Sequence, residues 1–107
     1  MSILEKEVID AVGVSEDGKV LSLMLADHLD WSNEYEHLML LQDKINTYIA
    51  YLENRQFEES YPNHDFSYAV ISIYFVHDIP KNCEKFLQTV QDQIGSLGIK
   101  IEATITG

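Results

Sequence analysis

The chain has 107 residues, 46% of them apolar, and its 18 acidic and 7 basic side chains give a formal net charge of −11. This length and apolar content predict a single domain, residues 1–107, that buries one hydrophobic core. The negative charge would repel phosphate backbones and anionic lipid surfaces, so we expect no nucleic-acid and no membrane partner, whereas a basic protein would be attracted.

The cysteine content and the start of the chain indicate the cellular compartment. The lone Cys83 excludes an internal disulfide and any Cys-x-x-Cys metal or redox pair, which suits a reducing environment. The first residues show no basic region followed by an apolar run, and no apolar stretch is long enough to span a membrane. We therefore expect a cytoplasmic protein.

The first half of the chain predicts a β-hairpin followed by a helix. Two β-branched and aliphatic runs, residues 8–14 and 20–26, flank Asp17-Gly18, and the glycine supplies the left-handed conformation that a short connection needs. From Asn33 to Leu52, apolar residues recur every three or four positions, which predicts a helix of about five turns. Asn33 stands three residues before Glu36, which is the spacing of a capping box, and Asp30 or Ser32 is an alternative cap.

The second half predicts a strand, a helix and a strand. Residues 66–76 are apolar on both faces, as is usual for a central strand. Pro80 suits the first turn of a second helix, with Asp78 as its cap and Gly98 at its carboxyl end. Residues 99–106 then alternate between apolar and polar, which predicts the closing strand.

These elements predict an α+β fold in the order ββαβαβ, with a four-stranded mixed sheet and two helices packed on one face. The sheet residues that we expect to meet the helices are Leu21, Leu23, Leu25, Ile71, Ile73, Phe75, Ile99, Ile101 and Ile105. The opposite face is more apolar than a solvated face usually is, which makes sheet-to-sheet homodimerisation a hypothesis. Alternatively, the tyrosine hydroxyls with Ser22 and Ser72 make this face polar enough to be solvated. Its candidate residues are Met24, Tyr68, Val70, Tyr74 and Val76.

A metal or small-ligand site is one functional hypothesis. Glu34-x-x-His37 is the spacing by which one helix presents two ligands to a metal, and His28 and Asp30 lie close before it. Such a mixed imidazole and carboxylate set suits a first-row divalent ion. Alternatively, Asp30 and Glu34 favour the positive helix N-terminus, and the histidines pack or hydrogen-bond locally.

No pattern of catalytic residues is present. Gly-x-Ser-x-Gly and glycine-rich phosphate loops are absent, and Cys83 falls on a buried helix stripe, as a small hydrophobic residue would. His64-Asp65 and His77-Asp78 flank the central strand at opposite ends, about 30 Å apart, and so cannot form one site. We predict no catalytic residue, no cofactor and a protein that is not an enzyme.

The leading hypothesis is a non-catalytic domain that binds a basic protein, such as a nuclease toxin that it neutralises. It depends on aromatic residues placed among carboxylates, because aromatic anchors provide contact area and surrounding carboxylates steer a basic partner. The predicted partner-binding residues are Tyr35, Tyr51, Glu53, Phe57, Glu58, Glu59 and Tyr61. Trp31 and Tyr48 are instead expected to pack over the helix start and in the core. A structural homodimer without a dedicated ligand is a further alternative.

The chain also resembles a family of small, single-domain bacterial proteins of unknown function. The residues that carry the resemblance are Asp27-His28-Leu29-x-Trp31, Glu36-His37-Leu38-x-Leu40-Leu41-Gln42-x-Lys44-Ile45-Asn46-x-Tyr48 and Tyr61-Pro62. It covers most of the chain and implies a bacterial, cytoplasmic origin. It implies no activity, substrate, cofactor or functional residue.

Overall fold

The computed structural model, which describes residues 3–5, 7–62 and 65–106, has the element order ββαβαβ. The strands are β1 (Ala11–Val14), β2 (Val20–Asp27), β3 (Tyr68–Phe75) and β4 (Ile99–Ile105), and the helices are α1 (Glu34–Glu53) and α2 (Lys81–Ile94). Short 3₁₀ helices follow α1 at Gln56–Glu59 and α2 at Gly95–Leu97. The predicted α+β fold is confirmed.

The four strands form one mixed sheet in the order β1-β2-β3-β4. β1 is antiparallel to β2, whereas β2, β3 and β4 are parallel, with Leu23 beside Ile71 and Ile71 beside Ile101. Each parallel pair is joined by a helix, and right-handed crossovers in the same direction place both helices on one face. The carboxyl ends of the three parallel strands, at Asp27, Phe75 and Ile105, therefore meet at one edge of the sheet.

The core lies between the sheet and this helical layer. Its buried members are Leu21, Leu23, Leu25, Ile71, Ile73, Phe75 and Ile99 from the sheet and Leu41, Ile45, Tyr48, Cys83, Leu87 and Ile94 from the helices. The predicted core positions of Tyr48 and Cys83 are confirmed, since both are fully buried. In the described part of the chain, no helix is long and apolar enough to cross a membrane.

Two predictions about the sheet are wrong. Ile105 was expected in the core but is 44% exposed, because it is the last residue of an outermost strand. β1 begins at Ala11 and not at residue 8. Asp10 meets β2 through its side chain, since Oδ2 accepts a hydrogen bond from Ala26 N at 2.8 Å, so the strand ladder starts one residue later.

The helix ends follow local chemistry. Asn33 caps α1 as predicted, because its Oδ1 accepts from Glu36 N at 3.3 Å while Glu36 Oε2 accepts from Asn33 Nδ2 at 2.8 Å. The prediction that Asp78 caps α2 is wrong: Pro80 occupies the N-cap position and makes no side-chain cap bond. Gly98, with φ 77°, ends the 3₁₀ turn that follows α2 and not α2 itself.

Candidate functional site

Six of the seven predicted partner-binding residues lie together at the carboxyl end of α1. We call this group the acidic end, and its members are Tyr51, Glu53, Phe57, Glu58, Glu59 and Tyr61. Phe57 is buried and packs against Tyr51 at 6.4 Å and edge-on against Phe66 at 5.6 Å, and Tyr61 contacts the same Phe66 ring at 6.4 Å. Tyr51 and Tyr61 are half-buried, so Phe57 and Phe66 support two partly exposed tyrosines.

Three exposed carboxylates lie in the same stretch of chain as these tyrosines. Glu53 ends α1, whose last turn contains no basic residue, and Glu58 and Glu59 follow in the 3₁₀ turn. Burial raises the pKa of the Tyr51 hydroxyl, and the nearby Tyr61 and Glu59 raise it further. Glu59 and Tyr61 are therefore close enough to the Tyr51 hydroxyl to act on it electrostatically.

One cation already lies on this surface. The Arg55 guanidinium is 5.3 Å from the centre of the Phe57 ring, and its Nε pairs with the Glu58 carboxylate. Arg55 has a φ of 54°, which among the described residues is the one positive value outside glycine. That conformation costs roughly 1–2 kcal/mol for a residue with a side chain.

Tyr35 is the seventh predicted partner-binding residue and lies elsewhere. It is 75% exposed in the first turn of α1, whereas Tyr51 lies in the last. Their separation of sixteen positions spans about 24 Å at 1.5 Å per residue. Tyr35 is therefore set apart from the acidic end, and its part in a partner-binding surface stays a prediction.

Of the candidate metal ligands, His37 is buried and bonded through both ring nitrogens. Nε2 lies 2.6 Å from Asp27 Oδ2, and Nδ1 lies 2.9 Å from the carbonyl oxygen of Asp30. A carbonyl oxygen only accepts, so Nδ1 is the donor in its bond to Asp30. The Trp31 ring stacks on His37 at 3.6 Å, which confirms its predicted place over the start of α1.

The other three candidate metal ligands lie in different surroundings. His28 is exposed, and Asp30 accepts from Ser32 Oγ and N, which lower the pKa of the Asp30 carboxyl group. Glu34 accepts from Asn82 Nδ2 of α2 at 2.8 Å. Within residues 3–5, 7–62 and 65–106, no group of three or more histidine, cysteine or acidic side chains is arranged to hold a metal ion. Metal binding stays a prediction for elemental analysis.

A buried ion pair was missed by the sequence analysis. Lys44 is fully buried, and its Nζ lies 2.6 Å from Asp10 Oδ1 and 3.2 Å from the carbonyl oxygen of Glu5. Tyr48 Oη accepts from Asp10 N at 3.0 Å and donates to the carbonyl oxygen of Met24 at 2.5 Å. Burial raises the pKa of the Tyr48 hydroxyl well above its usual range. The group ties the segment before β1 to α1 and β2.

The sequence did contain signals for both buried charged pairs. Lys44 lies three residues after Leu41 and four before Tyr48, so it falls on the apolar stripe of α1. Asp27 continues the alternation that buries Leu25, so it falls on the helix-facing side of β2. A charged residue in phase with a buried pattern indicates a buried partner.

The remaining predicted residues are placed as follows. On the open sheet face, Tyr68, Tyr74 and Val76 are exposed, Met24 is partly buried and Val70 is buried, and dimerisation through this face stays a prediction. His77 is exposed after β3, while His64 lies outside the described residues. Burial and the nearby Asp27 raise the pKa of the Cys83 thiol to about 12.

Comparison with known proteins assigns the chain to a family. The model of a family of unknown function, DUF6572, matches residues 1–107. The chain belongs to this family. A search of the curated proteins and a search of the solved structures found no match. The family description brings no activity with it, so a functional assignment depends on the chemistry of the chain's own residues.

Proposed function

We propose that this protein is a non-catalytic binding module whose acidic end recognises a basic segment of another protein. The observation that carries the proposal is that three exposed carboxylates, Glu53, Glu58 and Glu59, lie in the short stretch of chain between the half-buried Tyr51 and Tyr61. Exposed carboxylates attract and orient a basic partner, and rigid aromatic rings supply contact area at low entropic cost.

The position of the carboxylates supports this proposal. The carboxyl end of a helix carries a partial negative charge, so a cation there stabilises the helix and an anion destabilises it by about 0.3–1 kcal/mol. α1 has Glu53 at this end and no basic residue in its last turn. The arrangement is unfavourable for the isolated chain and becomes favourable when a cation of a partner binds.

Arg55 indicates which cation the surface accepts. Its guanidinium contacts both an aromatic ring and a carboxylate, Phe57 and Glu58, although its backbone conformation is costly. Guanidinium groups prefer this combination of stacking and charge pairing. We infer that arginine-containing segments of the partner pair with Glu53 and Glu59, the exposed carboxylates on either side of Arg55 in the chain.

The partner class follows from charge. A chain of −11 is attracted to a protein with a basic surface, and a nucleic-acid-cleaving toxin has such a surface at its active site. Covering that surface with the acidic end would block substrate without any chemistry by this protein. The toxin partner is a refinement of the proposal, based on charge and size.

A pull-down from the lysate of the source organism tests the proposal. The tagged protein should retain a stoichiometric basic protein at low salt and release it at high salt, since the attraction is screened. The variant with Glu53→Lys, Glu58→Lys and Glu59→Lys should retain none. A partner that binds equally well to this variant would contradict the assignment of the acidic end.

A further inference from the structure

β4 has one side of its main chain turned away from the sheet. Ala69 N donates to Gly98 O at 2.9 Å, and Thr106 N donates to Phe75 O at 2.7 Å, so the even-numbered residues of β4 bond to β3. Main-chain groups alternate in direction along a strand. The N–H and C=O groups of Ile99, Ile101, Ala103 and Ile105 therefore face outward from this outermost strand.

Gln91 of α2 protects part of that outer edge. Its Nε2 donates to the carbonyl oxygen of Ile99 at 3.1 Å, and its Oε1 accepts from Ile101 N at 2.7 Å. One carboxamide thus makes the two bonds that a neighbouring strand would make, which is a way of blocking strand addition. Five outward groups lie beyond it, and four of them take part in the pairing proposed below: Ile101 O, Ala103 N, Ala103 O and Ile105 N. Among the described residues, none hydrogen-bonds to these four groups.

An apolar groove lies beside the same segment. It has a volume of about 240 Å³ and lies between α2 and β4, with Ile79, Leu87, Ile101 and Ala103 on its walls. Ile105 belongs to the helix-facing side of β4, as Ile101 does, but is 44% exposed. The edge therefore has both an apolar groove and an exposed apolar side chain on one strand.

We propose that a second copy of this chain pairs its β4 with this β4, antiparallel, about a two-fold axis at Ala103. The two Ala103 residues then exchange two hydrogen bonds, and Ile105 N of each copy donates to the carbonyl oxygen of Ile101 in the other. These four bonds satisfy the four groups named above, and Ile105 O is left open because its partner in this register, Ile101 N, is bonded to Gln91. The paired segment ends where the Gln91 bonds begin.

The side chains favour a second copy over an unrelated segment. In this register Ile105 of one copy lies opposite Ile101 of the other, on the helix-facing side and next to the groove. On the open face, Glu102 lies opposite Thr104 and Lys100 lies opposite Thr106, so no like charges are directly paired. Such self-complementarity is what a two-fold interface requires. The net charge of each copy opposes the contact at low salt.

Sedimentation equilibrium of the full chain over a concentration series tests this proposal. We expect a dimer that is strengthened by salt. Ala103→Pro removes the donor at the axis and should weaken dimerisation at least about tenfold, because two of the four bonds are lost. The outward-facing Ala103 N makes no bond to β3, so proline leaves the sheet ladder intact. Ile105→Lys should weaken dimerisation to a similar extent, and it provides the test if the Ala103→Pro variant misfolds.

Two further variants make the test specific. Thr104→Ala, on the open face of the same strand, should leave the dimer unchanged. Gln91→Ala frees Ile101 N for two more bonds across the axis and should tighten the dimer. The hydrogen exchange of the Ala103 and Ile105 amides should become slower as the protein concentration rises.

Two results would overturn the proposal. One is a monomer at every concentration for both the wild type and Gln91→Ala. The other is a dimer that survives Ala103→Pro and Ile105→Lys but is lost with Tyr74→Glu, which would place the contact on the open sheet face.

Discussion

Lys44 Nζ lies 2.6 Å from Asp10 Oδ1 although the two residues are 34 positions apart, and both side chains are buried. The pair joins α1 to the segment that leads into β1. Asp10 Oδ2 also accepts from Ala26 N, so the carboxylate contacts β2 as well as the lysine. A charge in such a place is tolerated only when its partner is present.

Removing one member of this pair should be far more damaging than removing both charges. Lys44→Met leaves the Asp10 carboxylate buried without its cation, and we expect a loss of about 3–5 kcal/mol in the free energy of unfolding. Adding Asp10→Asn should restore part of that loss. Urea unfolding of the two single variants and the double variant measures the coupling, and strict additivity would contradict a direct interaction.

His37 should be a second essential contact. His37→Ala leaves Asp27, which is 1% exposed, without its imidazole partner, so we expect a loss of about 3–5 kcal/mol. His28→Ala is the matched control, because His28 is exposed and should change stability by less than about 0.5 kcal/mol. Equal losses for the two variants would show that the Asp27 contact does not stabilise the fold.

The prediction of the fold from sequence worked where a pattern is local. The periodic stripe of α1, the Asn33 cap and the alternating strands each depend on neighbours within a few residues, and all were confirmed. The prediction that Asp78 caps α2 was wrong because Pro80 occupies the N-cap position, two residues later in the chain. The prediction that Ile105 is buried was wrong. The alternation along the strand is correct, but β4 lies at the edge of the sheet, where its last residue is exposed.

The sequence predicted which residues form the candidate site, but it did not predict how they are arranged. Tyr51 and Phe57 were expected together on the surface, and the structure instead buries Phe57 as support for Tyr51. The Lys44 and His37 contacts depend on pairing between distant segments, which one sequence does not specify. Tyr35 belongs to the same helix as Tyr51 and Glu53 but lies at its opposite end. The length of α1 therefore separates Tyr35 from the acidic end.

Alkaline pH should destabilise the protein through Cys83. Burial, followed by the Asp27 carboxylate, raises the pKa of this thiol from 9.0 to about 12. Because the folded state has the higher pKa, the stability contributed by the neutral thiol is fully present below pH 9 and is lost as the pH rises towards 12. Each pH unit in that window should cost up to about 1.4 kcal/mol from this group.

Cys83→Ala is the variant that isolates this effect. Its free energy of unfolding should fall less steeply between pH 9 and 12 than that of the wild type. The raised pKa of Tyr48 adds a decline of the same sign above pH 10, which should appear in both proteins. Identical slopes would mean that the thiol titrates alike in the folded and unfolded states.

Neutralising Glu53 should stabilise the protein while it weakens partner binding. Glu53→Gln removes a negative charge from the carboxyl end of α1, and we expect a gain of about 0.3–1 kcal/mol. Glu16→Gln, in the turn between β1 and β2, removes the same charge away from a helix end and should change stability less. Thermal unfolding at low salt compares them, and a loss of stability with Glu53→Gln would contradict the electrostatic argument.

We propose that the acidic end, and not net charge alone, binds a basic partner. The most direct measurement is isothermal titration of the captured partner into two triple variants of equal net charge. One carries Lys at positions 53, 58 and 59, and the other carries Lys at the exposed positions 7, 78 and 84. We predict that the first no longer binds and that the second binds within about tenfold of the wild type, with the difference attributable to contact and not to screening. Equal loss in both variants would show that binding depends on overall charge and would contradict the assignment of this surface.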